Sequence, residues 1–365
     1  MPFRERFESF FSRPKVQKQL VTIFILVLLV PIAFCCFLLY ESYTSLREHY
    51  LEQIASDNLR VRSILFEVTT NLYNVSEDIV HDDVLFEVIN TQYASPQDVR
   101  MAVSSYTTIS NIMSKDTSIS SVNIYTFNET IGDYSYFHTI TPEIQKSDWF
   151  ISASEKASPF WRTHCRTDSR GNIYWELSLY RKIPLPQLGS YAVLSVTASD
   201  NYLRNRIINN SMECIMTINE NPVFFSTDKN YLGKSIPVDI DYESRITNAS
   251  GIIELSGTPE FTVISTLLPM NSDDRLYIVS YHPTALNELT QLIRNYILII
   301  AAVILIPCVM FFIYSQYFSA RVMTLRKAMH QASHGNYEIM DVFSGDEDGE
   351  VTSHSCSGSS TSISI

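Results

Sequence analysis

The chain has 365 residues, a formal net charge of −12 and a mean hydropathy of +0.01, with 18% of its residues charged. Near-zero hydropathy beside that many charges means the apolar residues are gathered in blocks rather than spread along the chain. The acidic balance does not suit binding to nucleic acid or to anionic lipid, and the length suggests roughly two domains.

Residues 1–19 carry Arg4, Arg6, Arg13, Lys15 and Lys18. Leu20 to Tyr40 then gives 21 residues without a charge. At about 1.5 Å per helical residue, such a segment crosses a hydrocarbon layer of about 30 Å. Its apolar core is longer than that of a cleaved signal, and no small-x-small pattern follows it, so an uncleaved anchor is expected at 20–40. The helical pattern runs on without a Gly or a Pro. Leu46, Tyr50, Ile54, Val61, Leu65, Val68, Leu72 and Ile79 recur at steps of three, four or seven, the stripe of one helix face. A stalk helix over 41–80 follows. Its stripe fits either a dimer seam or packing on its own domain.

Ser95-Pro96 opens another helix, with Ser as cap and Asp98 near the positive end, running to Met113. Beyond Asp116 the texture turns to short β-rich runs: Ile119 to Phe127, Tyr134 to Ile140, Ile173 to Ile183 and Tyr191 to Thr197. Ser147 to Ile151 begins a short helix that Pro159 closes, and Asn201 to Ile208 forms another. Strands then resume at Cys214 to Asn219, Val223 to Thr227, Gly251 to Ser256, Phe261 to Leu268 and Arg275 to Tyr281. Two groups of strands, each preceded by helix, read as two α+β lobes, a distal one over about 81–208 and a proximal one over about 209–285.

Asn295 to Ala320 is a second charge-free block, of 26 residues, read as a span over 295–318. Arg321, Arg326 and Lys327 follow it. Basic residues beyond both spans predict a multi-pass protein of the cell membrane with both termini cytoplasmic and residues 41–294 outside. That outer segment holds 19 basic and 31 acidic residues, which accounts for the whole net charge. Val322, Leu325 and Met329 continue as a short amphipathic helix that Gly335 stops, and 346–365 is Ser-rich and expected to be disordered. Of the six cysteines only Cys165 and Cys214 lie outside, where they either pair or stay free.

Asp148-Trp149-Phe150-Ile151-Ser152-Ala153, the run from Ile215 through Asn221-Pro222 to Leu232-Gly233-Lys234, and Arg321 to Asn336 appear in this order. Together they resemble bacterial double-Cache receptors, and among these the sensor histidine kinases of the YesM type from two-component systems. The resemblance covers residues 15–345. It implies two transmembrane helices flanking an extracellular double-Cache (PAS-like) domain, with the first helix of a HAMP signal relay over 319–345. It also implies a small-molecule ligand, a homodimer and transmembrane signal relay.

Two departures qualify it. Amino-acid-binding members place an Arg two residues before the Trp and an Asp in a later strand; here those positions hold Ser147 and Thr197. Without that pair of opposite charges a zwitterion loses its strongest contacts, so a ligand other than a free amino acid is expected. HAMP relays also carry Asp-Glu-x-Gly with an apolar residue at x, whereas Asp346-Glu347-Asp348-Gly349 puts a charge there. Only 47 residues follow Phe318, too few for a kinase domain of ordinary size, so the relay is expected to be cut short. Alternatives are a chemotaxis-type or cyclase-type receptor cut at the same place, or a kinase-less ligand-binding dimer partner.

For the ligand, Trp149, Trp161 and Trp175 fall within 27 residues, beside Phe150, Phe160, Tyr174 and Tyr180. Stacked rings suit a sugar or another flat or amphipathic molecule, or else form the lobe's core. Arg181 either points into that pocket or makes a structural ion pair. The expected ligand-binding set is Trp149, Phe150, Trp161, Trp175, Arg181 and Thr197. No catalytic set, cofactor or metal site is expected: His138, His164 and His282 lack metal-ligand spacing, and His330 and His334 read as surface residues of the relay helix.

Overall fold

A computed structural model describes residues 15–167, 171, 173–186, 189–208, 212–219, 221–236, 252–254 and 262–333. The chain divides into two compact units, Tyr40–Ile293 and the pair Met1–Leu39 with Arg294–Ile365.

Helix α1 spans Lys15–Val80 without interruption. The closing helix α8 spans Ala285–Ser333, so no break separates the second apolar block from the amphipathic segment expected after it. Both are long and apolar enough to cross a membrane. Ile23, Leu26, Val27 and Val30 on one, and Leu298, Leu305, Met310 and Tyr314 on the other, each stand more than half exposed. Apolar rows this continuous are stable only in lipid or against a partner. Phe24 stacks on Phe311 with ring centroids 4.3 Å apart. The HAMP turn, His334 and the Ser-rich tail lie outside the described residues.

In the larger unit, α1 lays its stripe on two sheets. Tyr50, Ile54, Val61, Leu65, Val68, Leu72 and Ile79 are all buried there, so of the two alternatives for this stripe it is packing on its own domain that these residues take. Periodicity specifies an apolar face and not its partner. Three short helices follow: α2 (Asp83–Asn90), α3 (Pro96–Ser105) and α4 (Thr108–Lys115). Sequence reading missed α2, although Asp82 caps it and Leu85, Val88 and Ile89 give it a buried face. It also merged α3 with α4, which the extended Tyr106 separates.

The first sheet has strands β1 (Ile119–Thr126), β2 (Phe137–Thr139), β3 (Phe160–Thr167), β4 (Ile173–Leu185) and β5 (Ser190–Ala198), in the order β2-β1-β5-β4-β3. Among the described residues only β1 and β2 run parallel. The run expected from Tyr134 is short because Gly132 and Ser135 take left-handed conformations, which turn the chain just before β2. Between β2 and β3 come α5 (Pro142–Gln145) and α6 (Asp148–Glu155). Helix α7 (Asp200–Ile207) leads to the second sheet. That sheet contains β6 (Glu213–Ile218), β7 (Phe225–Ser226), β8 (Ile252–Glu254), β9 (Thr262–Leu267) and β10 (Leu276–Tyr281), in the order β7-β6-β10-β9-β8.

Asn58 fixes where α1 sits on the second sheet. It is fully buried, and its amide donates to the carbonyls of Val263 and Ile278 and to the Ser280 hydroxyl, at 3.0 to 3.2 Å. Cys214 is buried on β6 while Cys165 is exposed on β3, and both are free thiols.

Candidate functional site

Strands of the first sheet alternate their side chains between two faces. On β5, Ala192, Leu194, Val196 and Ala198 join the core beneath α1, while Tyr191 and Val193 meet α6. The same parity on β4 sends Leu177, Leu179 and Ile183 to the core and Tyr180 to α6.

The α6 face carries an aromatic cluster. Trp149 stacks on Tyr180 at 4.9 Å between centroids and leans on Tyr125 of β1 at 4.8 Å. Phe160 of β3 stacks on the other neighbour side of Tyr180 at 5.5 Å. Phe150 meets Tyr191 at 6.1 Å and Phe127 edge-on at 6.2 Å. Ser147 precedes α6 and donates its hydroxyl to the Ile144 carbonyl at 2.6 Å, in the turn that aims Trp149 at the sheet. Burial raises the phenol pKa of Tyr125, Tyr180 and Tyr191, keeping all three protonated as donors.

Cations sit against these rings. Lys182 lies 4.2 Å from the Tyr191 ring centroid, Arg162 lies 5.3 Å and Lys156 5.7 Å from that of Phe160. Arg162 also reaches Ser152 on α6 at 3.3 Å and Asp274 at 3.4 Å.

Beside the rings the same face turns polar. Thr197 and Ser178, both buried, share a hydrogen bond of 2.8 Å. Ser178 meets His164 Nδ1 at 3.2 Å, and His164 Nε2 lies 3.2 Å from Glu176. Arg166 completes the row, 3.0 Å from the same carboxylate. Burial pushes the Glu176 carboxyl upward, but His164 and Arg166 outweigh it and hold the group below the usual carboxylate range. A Ser-His-Glu order is present that the sequence did not show. Ser178 is fully buried, however, and its hydroxyl is shared with Thr197, so no substrate carbonyl reaches it. The row works as a satisfied polar floor.

The six expected residues therefore divide. Trp149, Phe150 and Thr197 share the α6 face. Trp161, one residue beyond Phe160, points the opposite way and is fully buried in the core under α1. Trp175 also faces that side, packed so closely on Gly233 that a Cβ there would lie 2.6 Å from its indole nitrogen. Arg181 pairs with Glu77 of α1 at 2.8 Å, the structural alternative weighed from sequence. Tyr180 was named among the rings, whereas Tyr125, Tyr191, His164, Glu176 and Ser178 were not singled out for this face. Their signal is the two-residue alternation of Tyr174, Glu176, Ser178 and Tyr180 against Trp175, Leu177, Leu179 and Arg181.

A concavity of about 470 Å³ runs along α1, away from the α6 face, lined by His49, Glu52, Gln53, Ser56, Asp57, Arg60 and Met212. Among the described residues its lining is mostly polar or charged, with the His49 imidazole as its one ring and Met212 as its one apolar side chain. Among the described residues no group of three or more His, Cys, Asp or Glu is placed to hold a metal ion.

No protein-family model and no curated protein matches the sequence. Several solved structures show a partial likeness. The periplasmic sensory domain of the Campylobacter jejuni chemoreceptor Tlp1 aligns with a TM-score of 0.47 and 10% identity, over 65% of this chain and 96% of that one. The sensory domain of the C. jejuni chemoreceptor Tlp3 with isoleucine bound gives 0.41 and 13%, over 67% and 97%. The extracellular domain assigned to a histidine kinase, vpHK1S-Z8, gives 0.45 and 11%, over 66% and 97%. This chain has a mixed helix and sheet fold together with two long apolar helices.

Proposed function

We propose that this protein is the sensing and transmembrane part of a receptor, the input of a two-component sensor kinase of the YesM type within the double-Cache class. Residues 40–293 bind a small molecule outside the cell on the α6 face of the first sheet. The observation that carries this reading is the strand β4. Tyr180 lies in the aromatic cluster, and the next residue, Arg181, is ion-paired to Glu77 of α1. A ligand that reorders the rings therefore shifts the strand that grips a helix continuous with the first apolar segment. Signalling needs two states that the ligand binds unequally, and this strand supplies a contact that differs between them.

Ligand class follows from what the face lacks. The position where amino-acid-binding members carry Arg is Ser147, turned to a backbone carbonyl, and Thr197 gives only a hydroxyl already bonded to Ser178. Rings, hydroxyls and mutually paired charges suit a sugar or another amphipathic molecule rather than a zwitterion.

The test is a melting screen of residues 40–293 against sugars, organic acids and amino acids. A ligand at 100 times its Kd adds about 2.7 kcal/mol, a rise of roughly 5 to 10 °C for a unit of this size. The expected hit is not an amino acid, and Trp149→Ala removes its shift. A full shift with any free amino acid would overturn the ligand class, and a shift untouched by Trp149→Ala would overturn the site.

A further inference from the structure

The loop of residues 268–275, between β9 and β10, reaches from the second sheet to the first. Asp274 is its anchor, 4% exposed. Its carboxylate accepts the backbone N–H of Trp161 on β3 at 2.7 Å, the Ser272 hydroxyl at 2.9 Å and the Asn219 amide at 2.9 Å, and lies 3.4 Å from the Arg162 guanidinium. β3 is the edge of its sheet, so the Trp161 N–H has no strand neighbour on that side and the carboxylate caps it. Asn219 closes the joint from β6: its own N–H donates to the Arg275 carbonyl at 2.8 Å, and its Oδ1 accepts from the Arg275 N–H at 2.9 Å.

Asn271, in a left-handed conformation, donates to the Tyr73 hydroxyl on α1 at 2.6 Å. Tyr73 bonds Glu77, which pairs with Arg181 at 2.8 Å. The loop thus reaches two of the strands that bear the ring cluster, each at the residue beside its ring: β3 directly, at Trp161 beside Phe160, and β4 through Tyr73 and Glu77, at Arg181 beside Tyr180. Downstream, Arg275 leads straight into β10, which is braced on both sides by β6 and β9 over six residue pairs each. Helix α8 begins at Ala285, a few residues past the end of β10 at Tyr281.

We propose that Asp274 is a positioning residue for signalling, which couples displacement of β3 and β4 to β10 and so to the root of α8. This deepens the sensing role above and rests on it. Two routes then leave the ring cluster: Arg181 to Glu77 into α1, and Trp161 to Asp274 into α8. A merely structural Asp274 would stabilise the unit without making β10 respond to events on the α6 face.

The experiment uses the full chain in lipid nanodiscs and needs no ligand. Trp149→Ala loosens the ring cluster, and amide hydrogen exchange is followed by mass spectrometry on β3 and on 275–284. In the native background, exchange should rise at both places. With Asp274→Ala also present, Trp149→Ala should still raise exchange on β3, while its further effect on 275–284 falls by about tenfold, the weight of a charged hydrogen bond. No response of 275–284 in the native background overturns the proposal, as does an equal response in both backgrounds. Should Asp274→Ala fail to fold, Asp274→Asn, which keeps the size and one acceptor oxygen, decides by the same criterion. Because the perturbation is a side-chain deletion, a failure here speaks to the coupling, whereas the melting screen speaks to the binding site.

Discussion

Neighbouring rings on β3 and α6 should respond very differently to truncation. Trp161 is fully buried in the core beneath α1. A buried tryptophan hides about 150 to 250 Å², worth about 4 to 6 kcal/mol at roughly 25 cal/mol per Å². Truncations of buried aromatics measure about 3 to 5 kcal/mol. At about 2 to 4 °C per kcal/mol for a unit of this size, Trp161→Ala should lower the melting temperature by roughly 6 to 20 °C. Trp149 is half-buried and packs mainly through Tyr180 and Tyr125. Losing those ring contacts and part of the burial should cost about 1 to 2 kcal/mol, or roughly 2 to 8 °C. Thermal unfolding of residues 40–293 followed by circular dichroism measures both. Equal losses would refute the division between a core face and the proposed binding face, as would a larger loss for Trp149.

Two further outcomes follow. Asp274 and Glu176 have carboxyls held below the ordinary range, although burial opposes this: Asp274 by the Trp161 N–H, Asn219 and Ser272, and Glu176 by His164 and Arg166. Folded values below unfolded ones mean that their stabilisation is complete above the free carboxylate range near about 4 and is lost as pH falls through the folded values. Melting temperature should hold from about pH 7 to 5 and drop below about 4, with a shallower acid drop in Asp274→Asn; identical acid slopes would contradict the assignment. Separately, the basic residues beyond each apolar block predict that reporter fusions at positions 15, 160 and 340 read inside, outside and inside. An outside signal at 340 would reject two spans.

Much of the fold was legible because its signals are local. Ser95-Pro96 and Asp98 mark the start of α3, and the β-branched runs mark β1, β5, β9 and β10. β3 escaped notice because Phe160 to Thr167 carries Arg162, His164 and Arg166, polar residues tolerated on an edge strand. Missing that strand also hid its alternation, and so placed Trp161 beside Phe160 rather than behind it. The stripe on α1 was read correctly as apolar, but no periodicity tells a second copy from the chain's own sheets. Contacts such as Arg181 with Glu77, or Asp274 with the Trp161 backbone, join residues 104 and 113 positions apart, and nothing local encodes them.

The most direct test of ligand sensing on the α6 face is hydrogen exchange of the full chain with and without the strongest hit from the melting screen. Slower exchange should appear on α6, β3 and β4, accompanied by a change in 275–284 and none along the concavity lined by His49, Asp57 and Met212. Slower exchange confined to that concavity or to the second sheet, with α6 and β4 unchanged, would contradict the account.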